Sequence, residues 1–434
     1  MADDAETLQE RRLELLRRRI AEKGLAAEKP ADQARICAGE RYRLSVGQRR
    51  MWFLQTMDPA DTALNICVAY RLTGALDGSR LRSAFYDVVA RHAILRTTYD
   101  VDNQGEPYQV FHDGIVNSWR TDDLTHFTDQ DRERRIEALA RDEFGRPFDL
   151  MKEPPLRINL IRIGTEESVL LLVAHHICWD DDSCAIFLRE LSAAYNGRQL
   201  GRPAPQFIAL EVLETSEEPS TADIGYWADT LRSLPEALES LGAGGAHLSR
   251  RAERQTQALP AGLLNRIENF ARKRSGSPFM VLLAGFGVLV RRYTGAADFL
   301  VSVPVTDRRP GTEAAIGYFG NTLLLRISPR AHDTFTSLVD AVRETCLSGF
   351  AHKSVGIDRV VREINPDRMG HDGMDQLVRV GFSMRKSHSG FALDDVAVRQ
   401  LELGAVAAQL PLALSIVLDP QGVFVEVEYQ TDML

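Results

Sequence analysis

Apolar residues along this chain switch between unbroken runs and helical spacing in both halves, the mark of mixed strands and helices. The sharpest stretch is LLLVAHHICWDDDS, Leu170 to Ser183. It opens as a continuous apolar run, the pattern of a buried strand. Two adjacent histidines stand where the run ends, three carboxylates follow, and Ser183 is placed to cap a helix over Cys184 to Tyr195. Just upstream, Pro155 to Ile163 reads as an antiparallel neighbour joined through GTEES. Earlier still come a helical stretch within Leu44 to Pro59, an extended run at Leu64 to Leu72 and a helix over Gly78 to His92. A charged, mostly helical segment covers Thr125 to Phe148.

A Pro-rich, weakly patterned region, Gly201 to Ala246, holds a short helix around Tyr226 to Leu234 and a glycine bend at Gly242 to Gly245. The junction between lobes is expected there. Beyond it, Ser277 and Pro278 open a long apolar helix reaching Tyr293. A strand at Phe299 to Val305, a glycine-containing loop and strand in Ile316 to Ile327, and a helix over Phe335 to His352 follow. Further strands are expected at Leu377 to Met384, Leu412 to Leu418 and Phe424 to Tyr429. Strands and helices do not alternate strictly, so two α+β lobes are expected rather than a doubly wound sheet.

Length agrees, since 434 residues suit two domains of about two hundred each. A net charge of -9 without a basic face argues against nucleic acid. Five scattered cysteines suggest reduced thiols in the cytoplasm. No apolar run is long enough to span a bilayer.

Neighbouring residues on a strand face opposite sides. His175 and His176 therefore divide their roles, one towards a site and one towards packing or orientation. No zinc spacing completes a metal set around them, and Cys178 and Cys184 do not supply one. An aspartate buried at a strand end needs a cation or several donors. RHAILRTTYD, Arg91 to Asp100, brings two arginines and a histidine around a helix end and could supply such a partner.

HHICWDD, His175 to Asp181, resembles the HHxxxDG signature of nonribosomal peptide synthetase condensation domains. LSVGQRRMWFL resembles the family's SxAQxRLWxL, RHAILRTTY its RHExLRTxF, and IGYFGNTLLLR its IGxFVNTLxLR. VSVPVTDRR resembles the strand and loop before that last motif, and VEVEYQTDML the closing YSTDLF strand. The resemblance runs from about Arg41 to the C-terminus. It implies an α+β fold of two chloramphenicol-acetyltransferase-like lobes, a V-shaped pseudodimer with a central tunnel. The expected division is 1–39 as charged helix and linker, 40–222 as first lobe and 223–434 as second. The implied reaction is attack of a carrier-bound aminoacyl amine on a carrier-bound acyl or peptidyl thioester, in the subtype joining an L donor to an L acceptor. His176 would be the central catalytic residue, with His175 and Asp180 supporting it. Arg91 and Arg96 are the candidate partners for Asp180. Trp179, Asp181, Ser183 and Asn321 are candidates for the tunnel or acceptor side. No intrinsic cofactor or metal is implied, because substrates arrive on the phosphopantetheine arms of an upstream donor and a downstream acceptor carrier protein. Other synthetase modules are further expected partners, in the biosynthesis of an antibiotic or siderophore.

The chain departs from the family pattern at particular places. Asp181 stands at the signature's glycine, where it could narrow or charge the acceptor side. FIAL, Phe207 to Leu210, stands in place of YxDFA, HKS at His352 to Ser354 in place of HQD, and DQLVRVGF at Asp375 to Phe382 in place of RNPLFQVMF. These leave a second function open: a catalytically inactive interface domain that recruits a tailoring enzyme. An epimerization domain fits the first motif less well, and heterocyclization domains carry aspartates in place of the histidines. The charged helix at Ala5 to Leu25 is a solvated surface helix with a candidate docking role, and Met1 ahead of it suggests that the domain opens its polypeptide.

Overall fold

The computed structural model describes residues 36–114, 118–214, 220–232, 238, 241, 250–356, 378–387, 390–401, 403 and 407–433. The expected helix at Ala5 to Leu25 and the bend at Gly242 to Gly245 lie outside the described residues. A short strand β1 (Tyr42–Arg43) leads into α1 (Val46–Met57). Ser45 caps α1 by accepting from the Gln48 N–H, and the Gln48 side chain accepts from the Ser45 N–H in return. Then come β2 (Asn65–Gly74), α2 (Gly78–Arg91), β3 (Thr97–Val101), β4 (Pro107–Phe111), β5 (Trp119–Asp123), α3 (Asp129–Phe144), β6 (Leu156–Arg162), β7 (Glu167–His175) and α4 (Asp181–Tyr195). The expected hairpin forms, with β6 and β7 antiparallel and Leu156 opposite Ala174. β7 lies inside the sheet, between β2 and β6. Both its faces are covered, so Ser168 to His175 are all buried and the run reads as continuously apolar.

The rest of the chain supplies α5 (Phe207–Glu214), α6 (Thr221–Leu231), β8 (Ala252–Ala258), α7 (Leu263–Arg272), α8 (Pro278–Thr294), β9 (Phe299–Thr306), β10 (Gly320–Ile327), α9 (Phe335–Ala351), β11 (Val380–Lys386), β12 (Val396–Gln400), β13 (Leu412–Asp419) and β14 (Gly422–Gln430). Ser277 caps α8 and Pro278 is its first residue, as its sequence predicts. The second large sheet has the order β10-β9-β11-β13-β14-β8. The pattern did not predict the small sheet β1-β4-β3, nor β5, β8, α7 or β12.

Two hydrophobic cores result. One gathers the first-lobe elements up to Phe207 and Ile208. The other starts at Trp227 and fills the second lobe. The chain does not keep to this division. β12 from the second half pairs antiparallel with β2 and becomes the edge of the first sheet, with Val396 opposite Gly74. Ala315, Ile316, Tyr318 and Phe319, in the loop before β10, also belong to the first core. Phe319 meets Phe207 edge-on, with ring centroids 4.9 Å apart.

His175 closes β7 inside this first core, with no exposed surface. Its Nε2 lies 2.9 Å from Gln55 Oε1, and its Nδ1 accepts from the Ile177 N–H at 3.1 Å. The Gln55 amide nitrogen donates to the Pro59 and Asp61 carbonyls, so Oε1 is the atom facing the ring. The proton must then sit on Nε2, and the ring is neutral with both nitrogens satisfied. A second proton on Nδ1 would oppose the Ile177 N–H.

Burial pushes the His175 pKa down from the ordinary 6.5 to about 3. Between those values the unfolded chain binds a proton that the folded chain refuses. The contribution is therefore complete above about pH 6.5 and is lost as pH falls. Wild-type stability should drop about 1.4 kcal/mol per pH unit more steeply than that of His175→Asn between about pH 6.5 and pH 4. Asparagine can keep the bond from Ile177 without titrating. Urea midpoints across this range check it, and parallel slopes would refute it.

Candidate active site

Where β7 ends, the backbone tightens into a 3₁₀ turn, His176–Cys178. The turn is anchored to α1, because Gln48 Nε2 donates to the Ile177 carbonyl at 3.2 Å. It carries His176 out of the core to a partly exposed position. His176 Nδ1 is 2.7 Å from the Trp179 carbonyl oxygen. A carbonyl only accepts, so Nδ1 holds a proton, and in the neutral ring Nε2 keeps its lone pair. Among the described residues no hydrogen-bond partner meets Nε2, while the Tyr318 ring stands edge-on at 5.1 Å between centroids. The two histidines thus bond through different ring nitrogens and occupy different surroundings, because β7 ends at His175 and the turn begins at His176.

Asp180 is the N-cap of α4 and accepts from the Ser183 N–H at 2.8 Å. This corrects the sequence reading in which Ser183 caps the helix. Asp180 also accepts from the Phe319 N–H at 3.3 Å. Its cation is Arg308, which follows β9 in the second lobe: Nη2 donates to Oδ1 at 2.7 Å and Nε to Oδ2 at 3.2 Å. Both side chains are nearly buried, at 10% and 13% exposure. Arg308 Nη1 donates to the Thr312 and Ala315 carbonyls, and its Nε lies 3.3 Å from Asp182 Oδ2.

Arg91 and Arg96 are not the partners of Asp180. Arg91 pairs with Glu190 on α4 at 3.1 Å, and His92 meets the same carboxylate at 2.8 Å. Arg96 folds back over the end of α2 and donates to the Val89, Ala90 and His112 carbonyls. Helix-end carbonyls lack partners within the helix, so a neighbouring guanidinium is drawn to them.

Trp179 and Ser183 do not line an open passage either. Trp179 is 1% exposed and packs on Phe187, giving the site only its carbonyl. Ser183 is fully buried; its hydroxyl bonds Asp180, accepts from Gly317 N–H and Arg308, and lies 2.8 Å from the Gly317 carbonyl. Asp181 opens α4 and is exposed, where its charge suits the helix N-terminus. Asn321 donates to the Lys353 and Val355 carbonyls and so holds the segment after α9. In that segment His352 Nδ1 and Ser354 Oγ both bond Asp223 of α6, at 2.6 and 2.9 Å. Sequence reasoning missed Gln48, Arg308 and Tyr318, although each lies inside a segment it had singled out. Among the described residues no cluster of three histidine, cysteine or acidic side chains could hold a metal ion, and no helix is long and apolar enough to cross a membrane.

The condensation-domain family profile matches residues 39–433. The chain is 32% identical over 351 residues to a dimodular nonribosomal peptide synthase of Bacillus subtilis, covering 76% of this chain and 14% of that protein. It is 31% identical over 422 residues to the isonitrile lipopeptide synthase of Mycobacterium tuberculosis, covering 90% of this chain and 16% of that protein. It therefore spans a small part of these relatives' length. Among solved structures it is similar to the first condensation domain of the calcium-dependent antibiotic synthetase, with TM-score 0.74, 22% identity and coverage of 91% and 92%. It is also similar to the X-domain from teicoplanin biosynthesis, with TM-score 0.78, 25% identity and 92% of each chain covered. The α+β fold is thus the chloramphenicol-acetyltransferase-like fold of these structures. The chain belongs to the condensation-domain family.

Proposed function

We propose that this domain joins an aminoacyl group to an acyl or peptidyl group, both carried as thioesters, with His176 facing the attacking amine. The observation that carries this reading is the placement of His176, with Nδ1 tied to the Trp179 carbonyl, so that in the neutral ring Nε2 is the nitrogen free to accept. The acceptor amine attacks the donor carbonyl, the C–N bond forms, and the C–S bond breaks. The nitrogen sheds one proton and the departing thiolate takes one up. A thioester is already activated, so the demand on the protein is to hold a neutral amine against the carbonyl. Positioning of this kind reaches effective molarities of about 10⁵–10⁸ M. An imidazole accepting from the amine adds about 10²–10⁴-fold if it also takes the proton. Donor and acceptor carriers are the proposed partners, supplying substrates on phosphopantetheine arms, and the first-motif form favours an L donor and an L acceptor.

A second reading is a domain that docks another protein and transfers nothing. Its support is the exposed Asp181 at the signature's glycine, together with likeness to the X-domain, which has also been solved in complex with OxyB. Mass spectrometry of transfer between two defined, loaded carriers separates the two. Product from wild type that falls about 10²-fold or more in His176→Ala supports transfer. Wild type no better than the carriers alone overturns it.

The same geometry separates His176 from Arg308. His176→Ala should leave stability within about 1 kcal/mol, because the ring is partly exposed and makes one side-chain hydrogen bond. Arg308→Ala strands the nearly buried Asp180 carboxylate and should cost about 3–5 kcal/mol, with transfer lost as the turn loosens. Denaturant midpoints measured beside transfer rates check both, and equal stability losses would refute the division of roles.

A further inference from the structure

Tyr318 occupies a slot built from both lobes. Its ring is 7% exposed. The ring lies against Gly47, near the start of α1, and against Gly320, the first residue of β10. A Cβ added at Gly47 would stand 2.6 Å from Tyr318 Cε1 and 2.8 Å from Cδ1. A Cβ added at Gly320 would stand 2.8 Å from Cε2 and 2.9 Å from Cζ. These separations are well inside van der Waals contact, so both positions must lack a side chain for the ring to lie where it does. The family motifs compared above carry alanine and valine at these positions. The same ring stands edge-on to His176 at an interplanar angle of 78°.

Two residues without side chains therefore make room for one large ring beside the His176 imidazole. Hydrogen-bond distance from His176 Nε2 puts an incoming amine about 3 Å away. The acceptor's Cβ lies about 2.5 Å from that nitrogen, two bonds on. The donor's side chain is further, beyond the thioester carbonyl. An acceptor side chain directed towards the ring would therefore come within reach of Tyr318, whose centroid lies 5.1 Å from that of His176.

We propose that Tyr318 is a size filter on the acceptor, its ring filling the space beside His176 so that small acceptors, of glycine or alanine size, are favoured. This rests on the transfer reading above and names the substrate class of the same site. Replacing the ring by a methyl group opens that space to leucine or phenylalanine acceptors. Removing contacts of this size in an apolar pocket is worth about 10–200-fold in discrimination.

The test sets one donor carrier against acceptor carriers loaded with glycine, alanine, leucine and phenylalanine, in competition, with products read by mass spectrometry. Wild type should favour glycine and alanine. Tyr318→Ala should raise the leucine-to-glycine and phenylalanine-to-glycine ratios about 10-fold or more. Tyr318→Phe should keep the wild-type ratios, and Tyr318→Leu stands in if the alanine variant does not fold. Unchanged ratios in a folded, active variant overturn the filter, as does a shift seen only when the donor residue is varied. A second measurement needs no transfer: carbethoxylation of His176 by diethyl pyrocarbonate, followed on its peptide with exposed His126 as internal reference. His176 should react several-fold faster in Tyr318→Ala than in wild type, while an unchanged rate overturns the filter. Wild type that transfers to no acceptor, with His176 unmasked in Tyr318→Ala, faults the transfer reading and leaves the occluding ring established.

Discussion

The Asp180–Arg308 pair is the interaction on which the site's shape depends. It joins a helix N-terminus in one lobe to the loop after β9 in the other. A nearly buried carboxylate is costly unless every lone pair is used. Here the carboxylate accepts from the Ser183 N–H and hydroxyl, the Phe319 N–H and two guanidinium nitrogens. Arg308 is tied as fully, to two backbone carbonyls and to the face of Phe319, 4.4 Å from the ring centroid. Neither partner can leave without stranding the other. That makes the separation of the lobes at this point a nearly fixed distance.

His176 inherits that rigidity through a short chain of bonds. Asp180 follows Trp179, whose carbonyl holds the imidazole, and Gln48 holds the turn from the other side. His175 serves the same end from below by locking Gln55 and the Ile177 N–H. One histidine is kept neutral by burial, and the other has its tautomer chosen by a single carbonyl. Adjacent identical residues thus do different work because the strand ends between them.

Local chemistry was legible in the sequence, and the crossings were not. The apolar run of β7, the β6–β7 hairpin and the capped helix α8 all follow from patterns that neighbouring residues make with one another. β8 has the sequence AERQTQA, with little apolar content, because it is an edge strand whose side chains are mostly exposed. β12 was missed because its partner, β2, lies more than three hundred residues earlier in the chain. The cation for Asp180 was sought at Arg91 and Arg96, which cluster with a histidine around a helix end. Each had a nearer demand to meet, in Glu190 and in the carbonyls of α2. Arg308 stood within VSVPVTDRR throughout, but nothing in that segment's own pattern says which carboxylate it faces. The roles of Gly47 and Gly320 were hidden for the same reason, since the clash that forbids a side chain comes from a residue the local pattern does not name.

These crossings also tie reactivity to selectivity. The Tyr318 ring is approached by Gly47 of α1 in the first lobe and by Gly320 of β10 in the second. The ring thus lies where elements of both lobes meet, next to Phe319, whose N–H bonds the Asp180 that Arg308 holds. If the lobes part, the ring gains freedom at the moment when the Phe319 N–H and Arg308 pull away from Asp180. Loosening that frees space for a larger acceptor would then also slacken the turn that aims His176. In the proposed reaction, an enlarged acceptor range reached by opening the lobes must come at the expense of amine positioning. Trimming the ring alone escapes this coupling, because it widens the space while every bond to Asp180 and to the Trp179 carbonyl stays in place.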